Sequence, residues 1–123
     1  MTRLRKLSLL QWFGLFAAAG IWLAQHGIGQ GMAEARCSAA GGGISNDAVQ
    51  IVLMIVAGVV ILAAEAASVV VFRATSDASY HSPPPVGRMR MIAIATMSTN
   101  LIFLDIILLD GIASILDVAC RNS

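Results

Sequence analysis

The stretch from Ala48 to Phe72, AVQIVLMIVAGVVILAAEAASVVVF, most constrains the fold, because its one ionisable side chain is that of Glu65. At about 1.5 Å per residue, a helix of this length measures roughly 37 Å and crosses a hydrocarbon core of about 30 Å. A helix that is apolar all round is difficult to hide in a small soluble domain. The sequence therefore predicts a membrane-spanning helix over residues 48–72.

The composition supports a membrane protein. The 123 residues are 58% hydrophobic and 12% charged, whereas soluble domains carry about 25% charged residues. The formal net charge is +1, and the longest basic run is Arg3, Arg5 and Lys6. We therefore expect the lipid bilayer as a partner and do not expect nucleic acid.

Two further apolar segments flank the middle one. The stretch 7–28 is longer than the apolar core of a secretory signal peptide and is predicted to be a retained helix over about 8–28. After a loop over 29–46, Asp47 with Gln50 three residues on resembles a capping box. The prolines at 83–85 precede a third helix over about 86–109, which can extend to 119. The predicted fold class is an all-α integral membrane protein, one domain over 1–123 with three transmembrane helices.

The basic residues predict the orientation. By the positive-inside rule, the side of the membrane with more Lys and Arg in its short loops is cytoplasmic. Six basic residues precede the first helix or lie in the second loop, and two lie on the other side: Arg3, Arg5, Lys6, Arg73, Arg88 and Arg90 against Arg36 and Arg121. We therefore expect the amino terminus on the inner, cytoplasmic side and the carboxy terminus on the outer side, which in a bacterium would be the periplasmic side.

The two cysteines, Cys37 and Cys120, are then both on the periplasmic side. Thiols in an oxidising compartment can form a disulfide, which here would tie the end of the third helix to the loop after the first. The alternative is two unrelated thiols. A metal site is not expected, because two cysteines without a nearby histidine do not complete a set of ligands.

Depth along the helices predicts which polar groups meet inside the membrane. Counted from the second loop, Glu65 lies about 12 Å and Asn100 about 15 Å into the membrane. We therefore expect an interhelical hydrogen bond between these two side chains, assisted by Thr96 or Thr99.

Asp105 is expected about 22 Å into the membrane, level with Trp22 and Gln25 and close to His26, which are possible donors to its carboxylate. Asp110 falls at the outer interface and is given no special role. The alternative is a proton path through Glu65 and Asp105. Since their depths differ by about 10 Å, this path requires a further carrier between them.

No catalytic, cofactor or metal site is predicted within this chain, and we do not expect an enzyme. Axial ligation of haem by two histidines requires a facing pair, and His26 is the one histidine near a helix. Met89, Met91 and Met97 could serve as soft-metal ligands, but methionine in a helix usually packs. Small-residue pairs four apart, such as Gly14 with Ala18, predict close helix packing; two more are Gly20 with Ala24 and Ala63 with Ala67.

Four blocks of the sequence carry a family resemblance: LQWFGLFAAAGIWLAQHGIGQGMAEARC, AAEAASVVVFRAT, PPPVGRMRMIA and GIASILDVACRNS. Together they resemble small three-helix membrane proteins associated with bacterial haem–copper terminal oxidases. The departures from the family pattern are two extra acids in the third helix, Asp105 and Asp110. The positions that match it are Trp22, Gln25, Cys37, Pro85, Gly87, Arg88 and Cys120.

The resemblance implies a non-catalytic accessory subunit or assembly helper of a respiratory oxidase, in the bacterial inner (plasma) membrane. It implies larger membrane subunits as partners, with haem and copper held by those partners and none bound by this chain alone. A small oligomeric transporter or proton-conducting protein that uses Glu65 and Asp105 is the alternative. A transient assembly factor that handles copper or haem is a third possibility.

Overall fold

A computed structural model describes residues 2–37, 46–79 and 81–116, and these residues form helices and one connecting turn. Each helix contains a segment that is long and apolar enough to span a membrane. This confirms the prediction of an all-α chain with three helices of transmembrane length. The helices are α1 (Thr2–Cys37), α2 (Asn46–Ala74) and α3 (Val86–Leu116), and the membrane-length segments are Thr2–Met32, Asp47–Ala74 and Val86–Ala113.

The first helix is longer at both ends than the predicted 8–28, and its last turns occupy part of the predicted loop. Gly29, in the predicted loop, lies within α1 and lets α2 approach α1 closely, because a Cβ there would lie 3.0 Å from Gln50 Nε2. The Gln50 side-chain amide is 2% exposed and donates to the Gly29 carbonyl at 3.3 Å. Gln50, which the sequence assigned to a capping box, therefore joins two helices.

The turn between α2 and α3 is held by local hydrogen bonds. Thr75 satisfies the end of α2, because its backbone N–H and its hydroxyl both donate to the Val71 carbonyl, at 3.1 and 2.9 Å. Arg90 in the first turns of α3 donates back to the Thr75 carbonyl at 2.8 Å. At the start of α3, a Cβ at Gly87 would overlap the Ser82 carbonyl oxygen, so only glycine fits this turn.

The three helices pack in an up–down–up bundle in which each contacts the other two. Two apolar clusters fill its core. The turn cluster lies near the α2–α3 turn, and the mid-bundle cluster lies farther along the axis. Their buried members are Leu7, Val71, Met89 and Ala93 in the turn cluster, and Ala18, Ala57, Ile61 and Ile107 in the mid-bundle cluster.

Small residues bring the helices together between these clusters. A Cβ added to Gly14 would overlap the Ser68 hydroxyl and would lie 3.2 Å from the Ala64 carbonyl oxygen. Gly14 and Ala18 are buried, which confirms the first predicted small-residue pair. The other two predicted pairs do not pack within this bundle. Gly20, Ala24 and Ala63 are exposed, because they lie on the outward faces of their helices.

Candidate functional site

A histidine–aspartate pair joins α1 to α3 near the end of the bundle where α1 ends and α2 begins. His26 Nδ1 lies 3.3 Å from Asp110 Oδ2, and the two side chains are 43% and 31% exposed. The Trp22 ring stacks on the His26 imidazole, with ring centroids 5.8 Å apart. The pair lies in an open groove of about 400 Å³ whose other walls are mainly apolar.

Gln25 strengthens the same junction from inside. Its side chain is 2% exposed, and its Nε2 donates to the Ile107 carbonyl on α3 at 3.4 Å. Its Oε1 is buried without a hydrogen-bond partner among the described residues. Trp22, Gln25 and His26, three residues in one turn of α1, therefore all contact α3.

The expected contacts of Asp105 with these α1 residues are wrong. Gln25 bonds the backbone of Ile107, and His26 meets Asp110 instead. Asp105 is exposed, and no described residue gives it a hydrogen bond or an ion pair. Five residues separate Asp105 from Asp110, which places them about 140° apart around α3. The prediction used depth alone and named Asp105. The direction of each side chain around α3 decides which acid meets α1, and it is Asp110.

Glu65, the carboxylate in the middle of α2, lies on the flank between α2 and α3. Its side chain is half-buried and lines a groove of about 390 Å³ that contains Ser98 and is otherwise apolar. Its Oε2 atom is buried and has no hydrogen-bond partner in the described chain. The remaining residues of this flank groove are Phe72, Ile94, Met97 and Leu101.

The predicted hydrogen bond between Glu65 and Asn100 is absent. Both polar atoms of the Asn100 side chain are without a partner among the described residues, as is the Thr96 hydroxyl. The expected assistance from Thr99 is also absent, because its hydroxyl donates to the Ala95 carbonyl at 2.8 Å. Asn100 is 1% exposed, whereas Glu65 lines an open groove, so the two occupy different faces at a similar depth.

Sequence reasoning missed two polar residues that the structure uses to join helices, Gln50 and Asp110. Gln50 was assigned to a helix cap because of its distance from Asp47, and Asp110 was set aside as interfacial. A signal for both was available: a polar side chain within an apolar segment tends to seek a partner on a neighbouring helix.

Within the described residues, no group of three or more His, Cys, Asp and Glu side chains is placed to hold a metal ion. The methionines are dispersed rather than clustered. Met89 is buried in the turn cluster, Met91 is exposed, and Met97 lines the flank groove. Cys120 and the side chain of Cys37 lie outside the described residues, so their disulfide stays a prediction.

No protein-family model, curated protein or solved structure matches this chain. The polar groups of the bundle and their surroundings are therefore the structural basis for a proposed function.

Proposed function

We propose that this protein is a non-catalytic accessory subunit of a bacterial respiratory haem–copper oxidase complex, which stabilises or assembles the core subunits. The larger subunits hold the haem and copper. The resemblance of the four sequence blocks favours this complex. One side chain, Asp105, favours a larger partner.

Asp105 is exposed within the membrane-length part of α3, eight residues before its end at Ala113. Its exposed neighbours along the helix are apolar, among them Leu101 (56% exposed) and Leu109 (68% exposed). An aspartate at the centre of a membrane helix costs about 2.5–3.5 kcal/mol on the insertion scale, which is an upper limit for Asp105, eight residues from the end of the segment. A donor on a helix of a partner subunit lowers this cost, so the Asp105 face is the surface we assign to the partner.

The proposed orientation has the amino terminus in the cytoplasm and the carboxy terminus in the periplasm, with the chain in the inner membrane. Its support is the clustering of exposed basic side chains at one end of the bundle, where α1 begins and α2 gives way to α3. The positive-inside rule favours that end as cytoplasmic. These exposed residues are Arg3, Arg5, Lys6, Arg73 and Arg88.

The test is purification of the tagged protein in mild detergent, followed by mass spectrometry and an absorption spectrum. We expect haem bands and larger membrane subunits with the native protein. Asp105→Leu should weaken the association by about five- to thirtyfold, since interhelical hydrogen bonds contribute about 1–2 kcal/mol in model helices. The amount of protein in the membrane should not fall, because leucine favours insertion.

The matched control is Asp77→Asn, which removes an exposed carboxylate from the turn outside the membrane segments. This variant should retain the partner subunits and the haem bands. A pigment-free preparation that contains only copies of this chain contradicts the proposal.

One observation favours the alternative of a proton-conducting or transporting oligomer. Ser98 shares the flank groove with Glu65, and Asp105 follows seven residues later, about two turns along the same side of α3. If this flank carries protons, Glu65→Gln and Asp105→Asn should each abolish flux into liposomes. Flux that is absent with the native protein, or unchanged in the two variants, dismisses this alternative.

A further inference from the structure

The middle of the bundle contains a layer of buried polar atoms that the chain itself does not pair. They are Thr96 Oγ1 and both polar atoms of the Asn100 side-chain amide. Thr96 is 2% and Asn100 1% exposed, so neither lipid nor a partner subunit can reach them. Folded proteins leave few such atoms unpaired, because each costs about 1–3 kcal/mol.

These atoms share one level of the bundle. Thr96 and Asn100 are one helical turn apart and therefore lie on the same face of α3. Ser98, between them in sequence, lies about 200° around the helix from Thr96 and lines the flank groove with Glu65, so that groove is on the opposite side of α3. A Cβ built on Gly14 would contact the Ser68 hydroxyl and would lie 3.6 Å from Thr96 Cγ2, so all three helices meet here.

Apolar side chains close this layer on both sides along the axis. On α3, Met89 and Ala93 of the turn cluster precede it, and Ile107 of the mid-bundle cluster follows it. The layer is thus a polar level between two apolar clusters, and any ligand it holds must be small.

The chemistry of the unpaired atoms selects the ligand. The Asn100 amide offers N–H donors and an oxygen acceptor, and the Thr96 hydroxyl can both donate and accept. A metal cation would satisfy the oxygens and leave Asn100 Nδ2 unpaired, and an anion would satisfy the donors and leave Asn100 Oδ1 unpaired. Water both donates and accepts, so it can complement all of these atoms.

We propose that this layer is an internal hydration site, in which water binds Thr96 and Asn100. The site does not depend on the proposed accessory function, because it is enclosed by one copy of the chain.

The test is solid-state NMR of the full-length protein in liposomes, with magnetisation transferred from water protons to side chains. The side-chain amide of Asn100 is assigned by the loss of its signal in Asn100→Leu. We expect transfer from water to the Asn100 amide, and none on the same timescale to the methyl groups of Ile61, which is 1% exposed in the mid-bundle cluster.

Thr96→Val preserves the shape of the side chain and removes its hydroxyl, and we expect it to abolish the transfer to Asn100. Ser98→Ala is the matched control, because that exposed hydroxyl donates to the Ile94 carbonyl on its own helix, at 3.2 Å. It should leave the transfer unchanged. The native protein decides the matter even where a variant misfolds: transfer to Asn100 no faster than to Ile61 overturns the proposal.

A bound cation is distinguished by repeating the measurement in sodium chloride and in choline chloride. Water binding predicts the same transfer in both salts. A signal or a melting temperature of the native protein that changes only with sodium overturns the assignment of water.

Discussion

At position 14, the lack of a side chain determines how closely α1 approaches α2. The neighbours that a Cβ would meet are the Ser68 hydroxyl, which can rotate, and the Ala64 carbonyl oxygen, which is part of the helix backbone. The Ser68 hydroxyl also donates to that carbonyl at 3.0 Å, so a methyl group at position 14 would disturb a buried hydrogen bond. Close helix packing and a buried hydrogen bond therefore both depend on the absence of a side chain at position 14.

Gly14→Ala should lower the free energy of unfolding by about 1–3 kcal/mol, the usual cost of overpacking a core. Unfolding of the detergent-solubilised protein measures this change. Gly20→Ala is the matched control on the same helix, because nothing lies within 4 Å of a Cβ there. Alanine at that site should be neutral or stabilising by up to about 1 kcal/mol through helix propensity. Equal effects at the two glycines would contradict the close contact at Gly14.

The docking of α1 against α3 depends on residues from about one turn of α1 and about two turns of α3. Gln25 bonds the Ile107 carbonyl from inside, His26 meets Asp110 at the edge, and the Trp22 ring packs against Phe103 with centroids 5.9 Å apart. Because the histidine–aspartate pair is partly exposed, the buried contacts should contribute more than the pair to the free energy of the contact between α1 and α3.

A double-mutant cycle with His26→Ala and Asp110→Ala should give a small coupling energy, about 0.6 kcal/mol, the average for polar side-chain pairs in a membrane protein. Gln25→Leu should cost more than either single change, because it leaves a buried contact with Ile107 unmade. A coupling energy above about 2 kcal/mol would show that the pair is shielded from its surroundings and that the exposed fractions of 43% and 31% understate its isolation.

The whole molecule leaves much of its apolar surface on the outside, as a bundle in lipid does, and Asp105 adds an exposed carboxylate to this surface on α3. The inside shows the opposite arrangement, with apolar clusters separated by a polar level around Asn100. A partner on the Asp105 face and water at the Asn100 level would each satisfy polar groups that the chain leaves unpaired. The predicted topology determines which side of the membrane each end of the bundle contacts.

Both native cysteines should be on the periplasmic side and joined to each other. An impermeant maleimide added to intact cells should label neither thiol before reduction and both after it. A cysteine placed at Ser76, an exposed position in the α2–α3 turn, should be labelled only after the membrane is permeabilised, in a background with Cys37 and Cys120 replaced by serine. Labelling of Cys37 and Cys120 from opposite sides contradicts the topology.

Much of the fold followed from the chain alone, because apolar length is a one-dimensional property. The segments around Ala48–Phe72 and after Pro85 are long enough to span a membrane wherever their neighbours lie. The polar contacts between the helices did not follow from the sequence. A helix that is apolar nearly all round has no polar face to reveal its rotation. Packing alone turned Asp105 outward, turned Asn100 toward the core and brought His26 to Asp110, since each outcome depends on the direction a side chain takes around its helix.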